Sequence, residues 1–301
     1  MKYLLLTLLL LQGCVTTPDN EPLEPIGVDV SQIHDAMRSW EEHELTKEGY
    51  LKDILGDCDG ALWQGQWCAA TGCDLTKGYE GEPGRFYRRA TAEKCWHKGE
   101  ENGSKTTWSR DMFVCGLLPW ALLTKDLPAL DRHARYGWSK NWVMGEPPLF
   151  DNLKENSRLY YTPSIRALLY KSIKHLGGYE YPGTAWDWIV SNFKNLDMSE
   201  GLEDYQAHLQ VCKIWGKSVL DGGISDLMKE RVKTHHKRVP SDPFYAFMYG
   251  KFYGDWGQAA KACTAKVPFS GDYVRCGKST TACAYAHSVF SCNLLLKEHE
   301  G

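Results

Sequence analysis

The sequence predicts an all-α fold from three observations. Apolar residues recur at intervals of three and four along most of the chain, as on helices that bury one face. The strict alternation of apolar and polar residues that is typical of strands is rare. Short stretches rich in Gly, Pro and Asp separate the periodic segments, which indicates short connections between helices. The hydrophobic share is 43%, and a mature chain of about 275 residues can bury one large core, so we expect one domain over 28–301.

The predicted helices are placed by these apolar faces and by their stop signals. A first helix begins near Ser31 and carries Ile33, Met37 and Trp40 on one face. A second clear one follows Ser109, runs to about Leu122, and should be kinked at Pro119. Glycine pairs end several of the others. The remaining helical segments are expected near 59–70, 84–95, 127–141, 165–176, 184–196, 205–219, 224–237, 243–253, 256–263 and 279–297.

The first 27 residues are expected to lie outside the folded domain. An apolar run from Leu4 to Leu11 follows a basic residue, and Gly13 stands before Cys14. This order resembles a bacterial lipoprotein signal, with 1–13 as signal peptide, Cys14 as the lipidated residue and 14–27 as a flexible tether. The resemblance implies export and a lipid anchor in the cell envelope, at the outer membrane because the next residue is not Asp. An ordinary cleaved secretory signal is the alternative.

The cysteines agree with an oxidising compartment. Eleven are present, and setting Cys14 aside leaves an even number. We expect two disulfides within Cys58–Cys95 and two within Cys263–Cys292, with Cys115 and Cys212 either bridged to each other or buried as thiols. A zinc site is the rival interpretation, but the first cluster lacks the paired Cys/His spacing of structural zinc. We therefore expect no metal and no cofactor.

Three helix openings combine acidic with aromatic residues, at 57–63, 108–112 and 202–208. In these segments and in its run of helices, the chain resembles the six-hairpin, or (α/α)6 toroid, enzymes that act on polysaccharides. The resemblance implies a toroid-like ring of helical hairpins with disulfide-stabilised loops. It also implies that polar residues at the helix entrances line one end of the ring, where a glycan lies.

The acids at these openings suggest a catalytic pair. Cleavage of a glycosidic bond usually needs two carboxyl groups, one to protonate the leaving oxygen and one to act as base or nucleophile. Asp59 and Asp111 are the predicted pair, with Glu203 as a substitute, although each alone is equally typical of a helix N-terminus. We expect Arg110 to orient one carboxylate. The residues expected to bind substrate are Trp63, Trp108, Arg110, Asp204, Tyr205, His208 and Tyr161.

Two other functions stay open. A polysaccharide lyase of the same fold would use Tyr161 or His208 as base and Arg110 to neutralise a uronate. A non-catalytic lipoprotein that binds a glycan or a protein is the second alternative, and the many tryptophans can equally fill a core. A net charge of −3 without a basic stripe argues against nucleic acid, and membrane contact is expected only through the lipid. Phosphate loops, the G-x-S-x-G elbow and His-Glu-x-x-His are absent from the sequence.

Overall fold

A computed structural model describes residues 30–40, 43–88, 90, 95–97, 100–103, 108–144, 161–183, 204–271, 274 and 280–300. These residues are mainly helical, which confirms the helical character of the predicted fold. The predicted signal peptide, the tether with Cys14 and the helix expected at 184–196 lie outside them. Among the described helices, none combines the length and the apolar character needed to cross a membrane.

Most of the helices lie close to their predicted positions, whereas the short one over Thr76–Tyr79 was not predicted. They are α1 (Val30–Ser39), α2 (Gly60–Thr71), α3 (Thr76–Tyr79), α4 (Leu118–Thr124), α5 (Leu127–Ser139), α6 (Pro163–His175), α7 (Asp204–Asp221), α8 (Asp226–Arg238), α9 (Pro243–Tyr253), α10 (Gly257–Cys263) and α11 (Thr280–Glu300). A 3₁₀ turn covers Lys52–Ile54, a π-helical segment covers Met112–Leu117, and two antiparallel strands are β1 (Cys95–His97) and β2 (Glu100–Gly103).

The helix predicted over 84–95 is wrong. Phe86 pairs with Glu80 in an isolated antiparallel bridge, and β1 occupies the end of the range. Gly84 adopts φ of +81°, and a Cβ at this position would collide with the carbonyl oxygen of Arg132. Because only glycine tolerates both conditions, the chain turns at Gly84 and then runs as a non-helical segment to Arg88.

A π-helical segment leads directly into α4, and Pro119 lies in the first turn of that helix. Proline is tolerated in a first turn because an N–H there has no partner within the helix. The kink predicted at Pro119 stays a prediction.

Helix α2 occupies a central place in the packing. It contacts the π-helical segment and α4, and it also contacts α11. Helix α11 contacts α9 and α10, α9 contacts α7 and α8, and α7 contacts α6 and the π-helical segment. Helix α6 packs against α4 and α5. Helix α2 therefore lies against helices from the middle and from the end of the chain.

Two glycines bring α2 and the π-helical segment into close contact. A Cβ on Gly65 would lie 2.5 Å from the backbone of Gly116, and a Cβ on Gly116 would lie 2.7 Å from the carbonyl oxygen of Ala61. Any side chain at either position would force the backbones apart. Each glycine lies about one and a half turns inside its helix, so the crossing lies close to both helix starts.

The disulfides confirm part of the predicted pattern. Cys68–Cys73 and Cys263–Cys292 are local bridges within the two expected clusters, and Cys283 is also disulfide-bonded. Cys115–Cys212 is a third bridge, with its Cα atoms 5.4 Å apart. It fixes the π-helical segment against α7, which decides between the bridge and the buried thiols that the sequence left open.

Candidate functional site

Asp59 stands immediately before α2 but does not cap it through its side chain. Its N–H donates to Asp57 Oδ1 at 2.8 Å, which fixes the turn that enters the helix. Its carboxylate accepts a hydrogen bond from Arg88 Nη2 at 3.2 Å instead. Helix capping therefore does not account for the position of this carboxylate.

Arg88 connects Asp59 with the start of the next helix. Its Nη2 lies 3.2 Å from Asp59 Oδ1 and 3.3 Å from Ser109 Oγ, and the Ser109 hydroxyl donates to Asp111 Oδ1. The main chain of Arg88 is fixed as well, because its carbonyl accepts from the N–H of Ala61 at 2.9 Å. We call this hydrogen-bonded chain of Asp59, Arg88, Ser109 and Asp111 the two-acid network.

The surroundings raise the pKa of Asp59 from 3.8 to about 6. Burial of the carboxyl group is the largest cause; Arg88 lowers the pKa, whereas the charges of Asp111 and Asp57 raise it. Since 44% of the side chain remains exposed, solvent stabilises the charged form in part, and about 6 is the upper end of this rise. A carboxyl group of this kind can carry a proton in weakly acidic solution, as a general acid must.

Asp111 is the member of the network whose charge acts on buried aromatic residues. Its charge contributes to raising the pKa of Tyr161, after the larger effect of burial, and it acts against the lowered pKa of His208. Its side chain is partly buried. The structure thus places the two predicted catalytic acids, Asp59 and Asp111, next to each other.

Tyr161 and Trp108 belong to a closed hydrogen-bond cluster in the core. Trp108 Nε1 donates to the Tyr161 hydroxyl at 2.6 Å, and His133 contacts the same hydroxyl through Nε2 at 2.9 Å. His133 Nδ1 lies 2.8 Å from the Gly84 carbonyl oxygen. Because a carbonyl only accepts, Nδ1 carries the proton and Nε2 accepts from the tyrosine.

Burial dominates the titration of this cluster. It raises the pKa of Tyr161 well above 10 and lowers the pKa of His133 to about 4. Tyr161 and Trp108 are both 0% exposed. The expected roles of Trp108 as a stacking surface and of Tyr161 as a substrate contact are therefore wrong, because both rings are enclosed by protein.

Trp63 and His208 form part of the core on the other side of α2. Their exposed fractions are 2% and 4%, and their ring centroids lie 6.0 Å apart. Burial, and next the charge of His287, lowers the pKa of His208 to about 3. The predicted stacking of sugars on Trp63 is therefore wrong, and so is the predicted contact of His208 with substrate. Both side chains point into the protein.

His208, Cys115 and Cys212 form a cluster of atoms of the kind that bind metal ions. Its ring nitrogen and the sulfurs of Cys115 and Cys212 lie within 4.8 Å of one another, and all three residues are buried. The two sulfurs are joined in the disulfide, so neither is a thiolate, and thiolate is the form that binds metal. While the disulfide is formed, His208 is the one residue of this cluster that could bind a metal ion.

A buried pair that the sequence did not reveal lies deeper in the protein. Asp242 caps α9 by accepting from the N–H groups of Phe244 and Tyr245, at 2.7 and 3.0 Å. His287 on α11 places Nε2 3.1 Å from Asp242 Oδ2 and Nδ1 3.1 Å from Gln66 Oε1. The Asp-Pro step at 242 is a helix-start signal, but no local pattern connects it with a histidine so far along the chain.

Among the described residues, Arg110 forms no ion pair with Asp59 or Asp111; Arg88 holds Asp59 and the Ser109 hydroxyl holds Asp111. The charge of Arg110 contributes, after burial, to lowering the pKa of Lys213 on α7. Glu203 lies outside the described residues, and Asp204 and Tyr205 begin α7 without their side chains being described. The part of the predicted site that the structure brings together is therefore Asp59 and Asp111.

No protein-family model, curated protein or solved structure matches this chain. Function therefore has to be inferred from the chemistry of the site.

Proposed function

We propose that this protein is a cell-envelope lipoprotein that cleaves glycosidic bonds of a polysaccharide, with Asp59 and Asp111 as the acid/base pair. The observation that carries the proposal is the two-acid network, in which one guanidinium nitrogen and one hydroxyl connect the carboxylates. Every link is a hydrogen bond, so the carboxyl groups are no farther apart than those of glycosidases, about 5 to 9.5 Å.

The environments of the two acids suggest different roles. Asp59, whose pKa is raised to about 6, would protonate the oxygen of the leaving sugar as the bond to the anomeric carbon breaks. Asp111, held by the Ser109 hydroxyl, would either activate a water molecule or attack the anomeric carbon. In both versions the proton that Asp59 gives up is regained from water during turnover.

The order of helix contacts supports a toroid of hairpins. Helices α2, α4, α6, α7, α9 and α11 contact one another in that order, and α11 returns to α2. Helices α5, α8 and α10 alternate with them along the chain. Contacts in this order are those that an inner ring with outer partner helices would make. The helix starts that carry Asp59 and Asp111 would then face one end of the ring.

A lyase is less well supported than a hydrolase. Its base has to reach a proton on the sugar, but Tyr161 and His208 are at most 4% exposed. The two acids retain contact with solvent at the helix starts. No specific observation favours a binding module that lacks catalytic activity.

Product chemistry tests the proposed reaction. The purified wild-type protein is incubated with a panel of neutral and acidic polysaccharides, and reducing ends and ultraviolet absorbance are followed together. We expect new saturated reducing ends. Unsaturated, ultraviolet-absorbing products would replace the proposal by a lyase, and binding without product from any polysaccharide would replace it by a glycan-binding protein.

The lipid anchor is tested separately, because it rests on the sequence around Cys14 alone. The wild-type protein expressed in bacteria should partition into the detergent phase, whereas Cys14→Ala should be released in soluble form. Soluble wild-type protein without acyl chains in the mass spectrum would reject the anchor and leave the proposed reaction unaffected.

A further inference from the structure

Two exposed aromatic residues mark a surface that the proposed acid/base pair does not use. Trp138 near the end of α5 is 55% exposed, and Tyr179 after α6 is 68% exposed. Within the described part of the chain, the other large apolar side chains that are exposed are aliphatic and stand on other elements: Leu45, Leu227 and Val267. The two exposed aromatic side chains thus differ from the rest in chemistry, and both lie close to α5 and α6.

A path of ring contacts connects these two residues. The ring centroids of Trp138 and Trp142 are 6.3 Å apart, and those of Trp142 and Tyr170 are 5.5 Å apart. Tyr170 stacks on Tyr181 at 5.0 Å, and Tyr181 lies 5.8 Å from Tyr179. Trp142 and Tyr170 are buried. The exposed rings at the two ends are therefore supported by a packed layer of aromatic residues beneath them.

Polar groups lie between the two exposed rings. Asp131, Arg135 and Trp138 follow one another at intervals of four and three residues, so they share one face of α5. The Tyr181 hydroxyl donates to Asp131 Oδ1 at 2.7 Å, and Arg135 Nε donates to Asp131 Oδ2 at 2.8 Å. Trp138 lies seven residues beyond Asp131, about 10 Å along the helix axis. We call Trp138, Arg135, Asp131, Tyr181 and Tyr179 the aromatic strip.

The polar centre of the aromatic strip is fixed but still open to solvent. Burial raises the pKa of Asp131, but the hydrogen bonds from Tyr181 and Arg135 outweigh burial, so the pKa is lowered and the carboxylate stays charged. Arg135 bonds Asp131 through Nε, and its side chain is 73% exposed. A ligand on this surface can therefore reach the guanidinium group while the ion pair stays in place.

The aromatic strip lies on the outer side of α5. His133 comes two residues after Asp131 and so points to the other side of the helix, where its Nε2 accepts from the Tyr161 hydroxyl at 2.9 Å. Tyr161 in turn accepts from Trp108 at 2.6 Å. The aromatic strip is therefore on the opposite side of α5 from the buried cluster of His133, Tyr161 and Trp108.

We propose that the aromatic strip binds a polysaccharide chain outside the catalytic site. A sugar ring has an apolar face of C–H groups, which packs on an aromatic ring, and a rim of hydroxyls, which bond to polar groups such as those of Arg135 and Asp131. The distance along α5 suits an extended ligand. A protein partner would need a larger apolar patch, but the exposed aliphatic residues stand on other elements.

The choice of a polysaccharide rests on the proposed function, whereas binding to the aromatic strip requires neither Asp59 nor Asp111. Affinity electrophoresis of the whole protein tests it, in native gels with and without a soluble polysaccharide. The probes are xylan, mixed-linkage β-glucan, pullulan, galacturonan and chondroitin sulfate.

The variants remove the exposed rings one at a time and together, as Trp138→Ala, Tyr179→Ala and the double variant. Tyr179→Phe keeps the ring and removes only the hydroxyl. Val267→Ala is the matched control, because Val267 is 70% exposed, close to the 68% of Tyr179. Thermal melts establish that each variant is folded.

At least one polysaccharide should retard the wild-type protein. The dissociation constant, measured from retardation against polysaccharide concentration, should rise about threefold to tenfold in each single alanine variant and more than tenfold in the double variant. Tyr179→Phe and Val267→Ala should stay near the wild-type value. Retardation by none of the five polysaccharides, or equal retardation of the wild-type protein and the double variant, would overturn the inference.

The same gels separate this inference from the proposed reaction. Asp111→Asn leaves the aromatic strip unchanged and should be retarded like the wild-type protein. If folded Asp59→Asn and Asp111→Asn cleave at the wild-type rate while the double variant loses retardation, the catalytic pair fails and the aromatic strip stands. Equal retardation of the double variant, together with product release by the wild-type protein, removes the aromatic strip and leaves the reaction intact.

Discussion

Replacing Arg88 by Gln should raise the pKa of Asp59 further. Arg88 is the group that lowers this pKa, and its Nη2 lies 3.2 Å from Asp59 Oδ1. Glutamine removes the positive charge while keeping a polar side chain of moderate length. Without the charge of Arg88, the ionised carboxylate of Asp59 is less stable relative to the protonated form.

The size of the effect follows from the geometry and from the exposure of the pair. Two unit charges about 4 Å apart interact by about 1 kcal/mol in water and more strongly where protein excludes water. The Asp59 and Arg88 side chains are 44% and 20% exposed, so their interaction energy should be close to the value in water. One pH unit corresponds to about 1.4 kcal/mol, so we expect the pKa to rise by about one unit.

The assay is a carbon-13 NMR titration of the aspartate carboxyl carbons, with Asp59→Asn to assign the signal. Asp111→Asn serves as the opposite control, because the charge of Asp111 raises the pKa of Asp59 and its removal should lower it. Shifts of opposite sign in Arg88→Gln and Asp111→Asn would support the network. An Asp59 that titrates near 3.8 in the wild-type protein, or does not respond to either change, would refute this reasoning.

Three further predictions concern stability. Gly65→Ala would place a Cβ 2.5 Å from the backbone of Gly116, and the resulting overpacking should lower the free energy of unfolding by about 1 to 3 kcal/mol in urea; unchanged stability would contradict the close crossing. Burial lowers the pKa of His133 to about 4, below its ordinary 6.5, so the unfolded chain binds more protons between these values and stability should fall as the pH falls from about 6.5 towards 4. Thermal melts should show a weaker pH dependence in His133→Gln, and equal slopes would argue against the neutral buried histidine. Replacing Cys115 and Cys212 together by Ser opens a bridge with a sequence separation of 97 and should cost about 2 to 5 kcal/mol, whereas a loss near zero would show that the bridge does not restrain the unfolded chain.

The helices were predictable because each buries an apolar stripe that recurs along the sequence. Asp59 and Asp111 could be singled out because both precede apolar helices, and helix starts are where local pattern is most informative. Arg88 could not be found in this way. It lies in a segment whose spacing resembles a helix, but Gly84 turns the chain and the bridge to Glu80 keeps the segment non-helical.

The burial of side chains at the helix starts could not be predicted from the sequence either. Trp63 and Trp108 stand near acids, as residues at the edge of a glycan groove would, but both rings face the interior. The position of a residue at the start of a helix does not determine which other helices pack against its side chain. Similarly, the contact of Asp242 with His287 depends on how α9 and α11 pack together, which no local pattern encodes.

The most direct test of the central claim compares Asp59→Asn and Asp111→Asn on a polysaccharide that the wild-type protein cleaves. Asparagine keeps the size of each side chain, so both variants should melt near the wild-type temperature. Asp126→Asn is the matched control, since Asp126 caps α5 by accepting from the N–H of Ala129 at 3.0 Å. Loss of a catalytic proton transfer should reduce the initial rate of product release by about 100-fold or more in both site variants, and the control should stay near the wild-type rate. Wild-type rates in folded Asp59→Asn and Asp111→Asn would contradict the assignment of these two acids as the catalytic pair.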